Sequence, residues 1–321
     1  MDDAGPVLVT GAAGFIGSHV CRALRDEGRR VIGVDNFDPF YERATKEAAL
    51  RRWDAQADAK AEALFVELDI TQSEAMTALV ERERPAGVIH LAAKAGVRPS
   101  LEDPTGYAMA NLVGLSSVLE AARRGGAARV LFASSSSVYG NQKETPFSEL
   151  DDVNQPISPY AATKRAGELV CSTHHHLYGT PIACLRFFTV FGPGQRPDLA
   201  VSKFLRLIAS GQPIQMFGNG ATSRDYTYVD DIVSGVLAAY RAIDTHGYRV
   251  WNLGSDTPLR LDAMIDTVAR VVGQPAHIEH APAQMGDVEQ TWADLTRSRA
   301  ELGYAPATTF EDGVRAQWAA R

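Results

Sequence analysis

The stretch Gly11-Ala12-Ala13-Gly14-Phe15-Ile16-Gly17 restricts the fold more than any other part of the chain. It follows the apolar run Val7-Leu8-Val9, a buried strand by its pattern, and leads into a helix starting near Phe15. Glycines at 11, 14 and 17 permit a tight turn, close approach of the backbone to a pyrophosphate, and tight packing of helix on strand. The first N–H groups of that helix then face the phosphates. A second strand, Val31-Ile32-Gly33-Val34-Asp35, ends in an acid placed to accept both hydroxyl hydrogen bonds of an adenosine ribose. A carboxylate there repels a 2′-phosphate and Asn36-Phe37 supplies no arginine, so NAD is expected rather than NADP.

Strand and helix patterns alternate from 7 to 187. Leu64-Phe65-Val66, Gly87 to Ala93, Val130 to Ala133 and Ile182 to Arg186 read as further strands, with helices at 105–124 and 158–178. This order predicts an α/β fold, a Rossmann-type doubly wound parallel sheet. Residues 41–63 read as a helical excursion with a solvated charged face. Beyond 188 the pattern loosens into a loop at 192–197, helices at 199–210 and 230–240, and a strand Val250-Trp251-Asn252-Leu253 that returns to the sheet. Residues 1–188 are therefore assigned to the nucleotide-binding domain, with 225–254 returning to it, and 189–321 mainly to a smaller C-terminal α/β lobe that holds substrate.

Lys plus Arg total 32 against 39 Asp plus Glu, a net charge of −7, which disfavours general nucleic-acid binding. Three dispersed cysteines, an acidic start and the lack of a long apolar run fit a cytoplasmic protein without a membrane segment. In His174-His175-His176, consecutive helical side chains point about 100° apart, so a solvated or interface face is expected there and no metal.

Helix 158–178 opens with Ser158-Pro159-Tyr160-Ala161-Ala162-Thr163-Lys164. A spacing of four puts Tyr160 and Lys164 on one face, one turn apart. An ammonium near a phenol favours the phenolate, and a tyrosine so tuned can take a proton from a substrate hydroxyl near neutral pH. The serine run Ser134 to Ser137 ends the preceding strand.

With G-A-A-G-F-I-G (11–17), H-L-A-A-K-A-G-V-R (90–98), S-S-S-S-V-Y-G (134–140), Y-A-A-T-K (160–164), R-F-F-T-V-F-G-P (186–193) and R-D-Y-T-Y-V-D-D (224–231), the chain resembles the extended short-chain dehydrogenase/reductase family, in its nucleotide-sugar epimerase branch. The resemblance runs from Val7 to about Phe310. It implies that Tyr160 is the acid/base, that Lys164 binds the nicotinamide ribose, and that Ser135 hydrogen-bonds Tyr160 and the sugar 4-hydroxyl. It implies tightly bound NAD against Gly11, Gly14, Phe15, Ile16, Gly17, Asp35 and Asn36. Asp69, Ile70, Leu91, Ala92, Ala93, Lys94 and Asn111 are expected along the same cofactor, Asp69 either at the adenine amino group or capping the next helix. Arg224 resembles a diphosphate-binding arginine and Asp287 the acid on a uridine ribose, with Arg98 and Gln215 also expected against the UDP-sugar. The family pairs the helices equivalent to 105–124 and 158–178 between two copies, so a homodimer is expected, with Leu112, Leu115, Leu119 and Leu169 as its apolar residues.

Dehydratases of this family carry an acid pair at the positions of Ser136 and Ser137, and decarboxylases a Glu at the second. Neither serine has a pKa suited to that proton transfer. What remains is NAD-dependent epimerisation at carbon 4 of a UDP-sugar through a transient 4-keto intermediate. Ser136, Ser137, Thr189 and Arg196 resemble the carboxylate cradle of uronate 4-epimerases, which favours UDP-glucuronate and UDP-galacturonate. UDP-glucose or an N-acetylhexosamine stays open as the substrate, the latter because Thr291 leaves room for a larger substituent. A non-catalytic NAD(H)-binding sensor is the alternative of another class, and the intact Ser135, Tyr160 and Lys164 oppose it.

Overall fold

The computed structural model describes residues 5–54, 61–282 and 288–321. Six strands come in the first part: β1 (Val7–Thr10), β2 (Val31–Asp35), β3 (Ala63–Glu67), β4 (Gly87–His90), β5 (Val130–Ser135) and β6 (Ile182–Phe187). Then follow β7 (Thr189–Phe191), β8 (Ile214–Phe217), β9 (Ser223–Tyr228), β10 (Tyr248–Leu253), β11 (Pro258–Arg260) and β12 (Ile278–Ala281). The central sheet runs β10-β6-β5-β4-β1-β2-β3 with every neighbouring pair parallel, so the expected return of 250–253 to the sheet is observed. Parallel strands are covered on both faces, which is why Val7, Leu8, Val9, Val31 and Ile32 are all fully buried.

The helices are α1 (Phe15–Asp26), α2 (Arg43–Arg51), α3 (Ser73–Glu83), α4 (Val97–Glu102), α5 (Pro104–Ala108), α6 (Gly114–Gly125), α7 (Pro159–Tyr178), α8 (Ala200–Ala209), α9 (Val229–Ala242), α10 (Leu261–Val272), α11 (Thr296–Leu302) and α12 (Phe310–Ala319). One sheet face packs on α1 and α9 through Val20, Leu24, Ile232 and Val236; the other packs on α3, α6 and α7 through Met76, Leu79, Leu115 and Cys171. A separate core of Phe204, Ile208, Met264 and Val268 joins α8 and α10 to the small sheets β11-β9-β7 and β12-β8. The strand order reverses at β1, between β2 and β4, and a crevice opens there at the carboxyl ends of the strands.

Four expectations need correction. The segment 105–124 is not one regular helix: a π-helical turn, Met109–Val113, joins α5 to α6. That turn carries Asn111, whose Nδ2 donates to Lys94 O and Thr163 Oγ1, both at 3.0 Å. Leu115 and Leu119 face the sheet and are buried, so they cannot serve a dimer contact. Helix α2 covers only part of 41–63, and its Lys46 is buried rather than solvated. In the histidine run, His174 is buried edge-on against Tyr178, and His175 shares a hydrogen bond with Thr180 O at 2.7 Å.

Candidate active site

A cavity of about 730 Å³ follows the crevice. Gly11, at φ +74°, turns the chain so closely under β4 that an added Cβ would stand 2.9 Å from Ala92 N. At Gly17 a Cβ would stand 2.0 Å from Gly11 O, so α1 can press on the loop only without a side chain. Gly14 caps α1 without a side-chain hydrogen bond, which leaves its first N–H groups for an anion. Asp35 Oδ2 accepts from Ala13 N at 3.1 Å and Oδ1 from Phe37 N at 2.9 Å. Burial raises the Asp35 pKa, while those bonds and the charge of Lys46 oppose the rise. Asp69 Oδ1 accepts from Thr71 N and Oγ1, and Oδ2 from Asn36 Nδ2, so it closes the turn before α3 instead of capping that helix.

The middle wall, Leu91 to Ala93, hangs from Thr10 and His90. Thr10 Oγ1 accepts from Ala92 N at 3.2 Å and lies 2.7 Å from His90 Nδ1. Burial, then the charge of Lys164, pushes the His90 pKa down to about 3. The ring is therefore neutral, and its Nδ1 can accept the threonine proton. These surroundings fit a dinucleotide: a small-residue floor, a helix N-terminus at its centre and an acid at one end.

Ser135, Tyr160 and Lys164 meet at the other end of the cavity. Lys164 Nζ donates to Ala133 O at 2.7 Å and lies 5.9 Å from the centre of the Tyr160 ring. Burial lowers the Lys164 pKa to about 8. The expected lowering of the Tyr160 pKa by Lys164 is not what the structure shows. Burial raises it, and the opposing influences are a hydrogen bond with Ser135 and the charge of Arg196. Ser137, which also lines the cavity, donates from N and from Oγ to Ser135 Oγ, at 3.2 and 3.0 Å, so its hydroxyl proton is engaged by its neighbour. Arg196 spends Nε and Nη2 on Asp198 and Nη1 on Ala95 O, with its guanidinium 4.8 Å over the Phe40 ring.

Most of the residues singled out in the sequence line this one cavity, including Phe15, Asn36, Ile70, Lys94, Ser136, Thr189 and Arg224. Asn111 does not: it sits behind the wall, where it also accepts from Lys94 N at 2.9 Å. Arg98 and Gln215 stand outside the described lining, Arg98 over the Phe217 ring at 5.3 Å and Gln215 exposed on β8. Asp287 lies outside the described residues. Sequence reasoning missed Phe40, Tyr41 and Lys46, which line the cavity from the segment after β2. Lys46 Nζ donates to Asp38 O at 2.6 Å and lies 4.7 Å over the Tyr41 ring. An aromatic pair five and six residues ahead of a lysine was the available signal, and the surrounding charges masked it.

The profile of the NAD dependent epimerase/dehydratase family matches residues 7–254. A UDP-glucuronate 4-epimerase of Thermodesulfobacterium geofontis is 39% identical over 313 residues, 97% of this chain and 94% of that protein. Among solved structures, UDP-glucuronic acid 4-epimerase from Bacillus cereus in complex with UDP-glucuronic acid and NAD has a TM-score of 0.89 at 32% identity, covering 98% of both chains. UDP-glucose 4-epimerase from Thermotoga maritima with UDP-glucose has a TM-score of 0.88 at 30% identity, again covering 98% of both chains.

Proposed function

The chain belongs to the NAD dependent epimerase/dehydratase family, and we propose that within it the protein interconverts UDP-glucuronate and UDP-galacturonate by inversion at carbon 4. One observation carries the reading. A phenol, a hydroxyl and an ammonium converge at one end of a dinucleotide-shaped cavity whose only described lining carboxylates are Asp35, Asp38 and Asp69. Those three belong to the β2–β3 edge. Among the described residues, no acid lines the cavity beside Tyr160 to drive elimination.

NAD, held by the Gly11–Gly17 loop, Asp35 and Lys164, would supply a reversible hydride acceptor for the hydrogen on carbon 4. Tyr160 accepts the proton of the 4-hydroxyl and gives it back. Ser135 holds that hydroxyl and offers the phenolate a hydrogen bond. Lys164 keeps donors for the nicotinamide ribose beside its bond to Ala133 O. Ser136 and Thr189 offer hydroxyls to the carbon 6 carboxylate, and Arg196 adds a cation already shared with Asp198. Carboxylate held near the plane of the 4-keto sugar lacks the orbital overlap for losing carbon dioxide, so little pentose should form.

The second copy belongs to the same reading. Leu101, Met109, Val113 and Leu169 are exposed on the α4–α7 side, and they suit a two-fold contact of paired helices. Three buried free thiols suit a reducing cytoplasmic setting.

Thr189→Val keeps shape and removes one hydroxyl. The wild type should favour UDP-glucuronate over UDP-glucose by at least about tenfold in kcat/KM, as expected for a charge-assisted bond. The variant should lose part of that ratio through the uronate alone. Equal efficiency on both sugars, or preference for UDP-glucose or an N-acetylhexosamine, moves the assignment to those substrates.

A further inference from the structure

Behind the catalytic end lies a buried polar cluster that the reaction does not consume. Glu168, on α7 one turn beyond Lys164, is 0% exposed, and Arg186 on β6 is 2% exposed. Arg186 donates from Nε to Glu168 Oε1 at 2.8 Å and from Nη2 to Oε2 at 2.9 Å. Ser134 donates its hydroxyl to Oε1 at 2.6 Å, and Arg165 donates from Nη1 to Oε2 at 3.1 Å. The remaining arm of Arg186, Nη1, donates to the Tyr139 hydroxyl at 3.0 Å, and Tyr139 donates to Asn252 Oδ1 at 2.7 Å. One carboxylate thus ties α7, which carries Tyr160, to β5, which carries Ser135. Through Arg186 and Tyr139 it also holds the turn that carries Ser136 and Ser137.

Stability alone is a poor account of this arrangement, because a buried ion pair often gives no net gain over apolar side chains of the same volume. Gly167 presents a smooth surface to Phe132, where an added Cβ would fall 2.5 Å from the ring. Apart from the Tyr160–Ser135 bond itself, α7 and β5 are also tied by Lys164 Nζ to Ala133 O, and that ammonium would be shared with the ribose. Neither Glu168 nor Arg186 lines the cavity, while Ser134, which joins Glu168 to β5, does. We propose that Glu168, through Ser134 and Arg186, is a positioning residue that sets the Tyr160–Ser135 geometry for proton transfer. The proposal rests on the reading of Tyr160 as the acid/base.

Among the described residues, four groups face the Tyr160 phenol or ring: Ser135 from β5, Arg196 from the loop after β7, Tyr107 from α5 at 6.2 Å between ring centres, and Lys164 from its own helix. Of these, the tie controls Ser135. Ser134→Ala in the NAD-loaded protein removes the tie to β5 and leaves the Glu168–Arg186 pair intact. Tyr160 ionisation is read as an ultraviolet difference against the same protein carrying Tyr160→Phe, with no substrate present. Its midpoint should rise by about half a pH unit or more, since part of a phenolate hydrogen bond is lost. With UDP-glucuronate, kcat should fall about tenfold with KM nearly unchanged, and the acidic limb of the kcat profile should move up by the same shift. Ser134→Thr, which keeps the hydroxyl, should restore both; if Ser134→Ala does not fold, Ser134→Cys lengthens the tie and should move the midpoint in the same direction. An unmoved midpoint, with activity lost only in proportion to folded NAD-loaded protein or not at all, overturns the proposal. A shifted midpoint in a protein that turns over no UDP-sugar rejects the reaction and keeps the positioning role.

Discussion

At the scale of single residues, burial decides more than neighbouring charge. Tyr160 and Lys164 were placed on one helix face by spacing alone, and the structure puts them there. Spacing could not say that the lysine would turn to Ala133 O, or that burial would raise the phenol pKa. His90 gives a testable consequence of the same physics. Its ring stays neutral in the fold down to about pH 3, while in the unfolded chain it takes up a proton near pH 6.5. Between those values the unfolded state binds the extra proton, so stability falls as pH falls through this window. The slope is about 1.4 kcal/mol per pH unit at most. Thr10, Phe132 and Lys164 face the ring, and His90→Asn keeps an acceptor for Thr10. Urea unfolding from pH 7 to 4 should show a shallower loss in the variant, by up to one proton; identical slopes would mean that His90 charges freely in the fold.

At the scale of elements, what was legible was what repeats. The strands of the parallel sheet are short apolar runs bounded by turn residues, and the glycine loop announces where the first helix begins. The loop carries its own prediction. Gly17→Ala drives a Cβ into Gly11 O, which is backbone and cannot swing aside. The variant should retain far less NAD after purification, measured on denatured protein, and melt several degrees lower, for a cost of about 1–3 kcal/mol. Wild-type NAD content with an unchanged melting temperature would contradict the cradle. The π-helical turn was not legible: the contacts its Asn111 makes, to Lys94 and Thr163, lie far along the chain. Lys46 was hidden for a related reason. Its helix carries Arg43 and Glu47 paired in solvent, and composition cannot separate the one inward cation from the outward ones. The C-terminal strands have three to six residues each, too few to show a period.

At the scale of the whole molecule, the switch in strand order places one crevice, and the C-terminal lobe closes it from the far side with Arg224, Val288 and Thr291. Of the exposed residues proposed for the two-fold contact, Val113 and Leu169 do not line that crevice, whereas Met109 does. Light scattering at micromolar concentration should give the mass of two chains, and Leu169→Glu should shift it toward one; a single-chain mass for the wild type would refute the proposed contact. The central claim is inversion at carbon 4 with a cofactor that ends as it began. Its most direct test is to incubate the purified protein with UDP-glucuronate, without added NAD, and to separate the 4-epimers by chromatography. The account predicts UDP-galacturonate, little pentose product, and at least about a hundredfold slower conversion by Tyr160→Phe. No epimer from any UDP-sugar, or conversion by Tyr160→Phe at the wild-type rate, would contradict it.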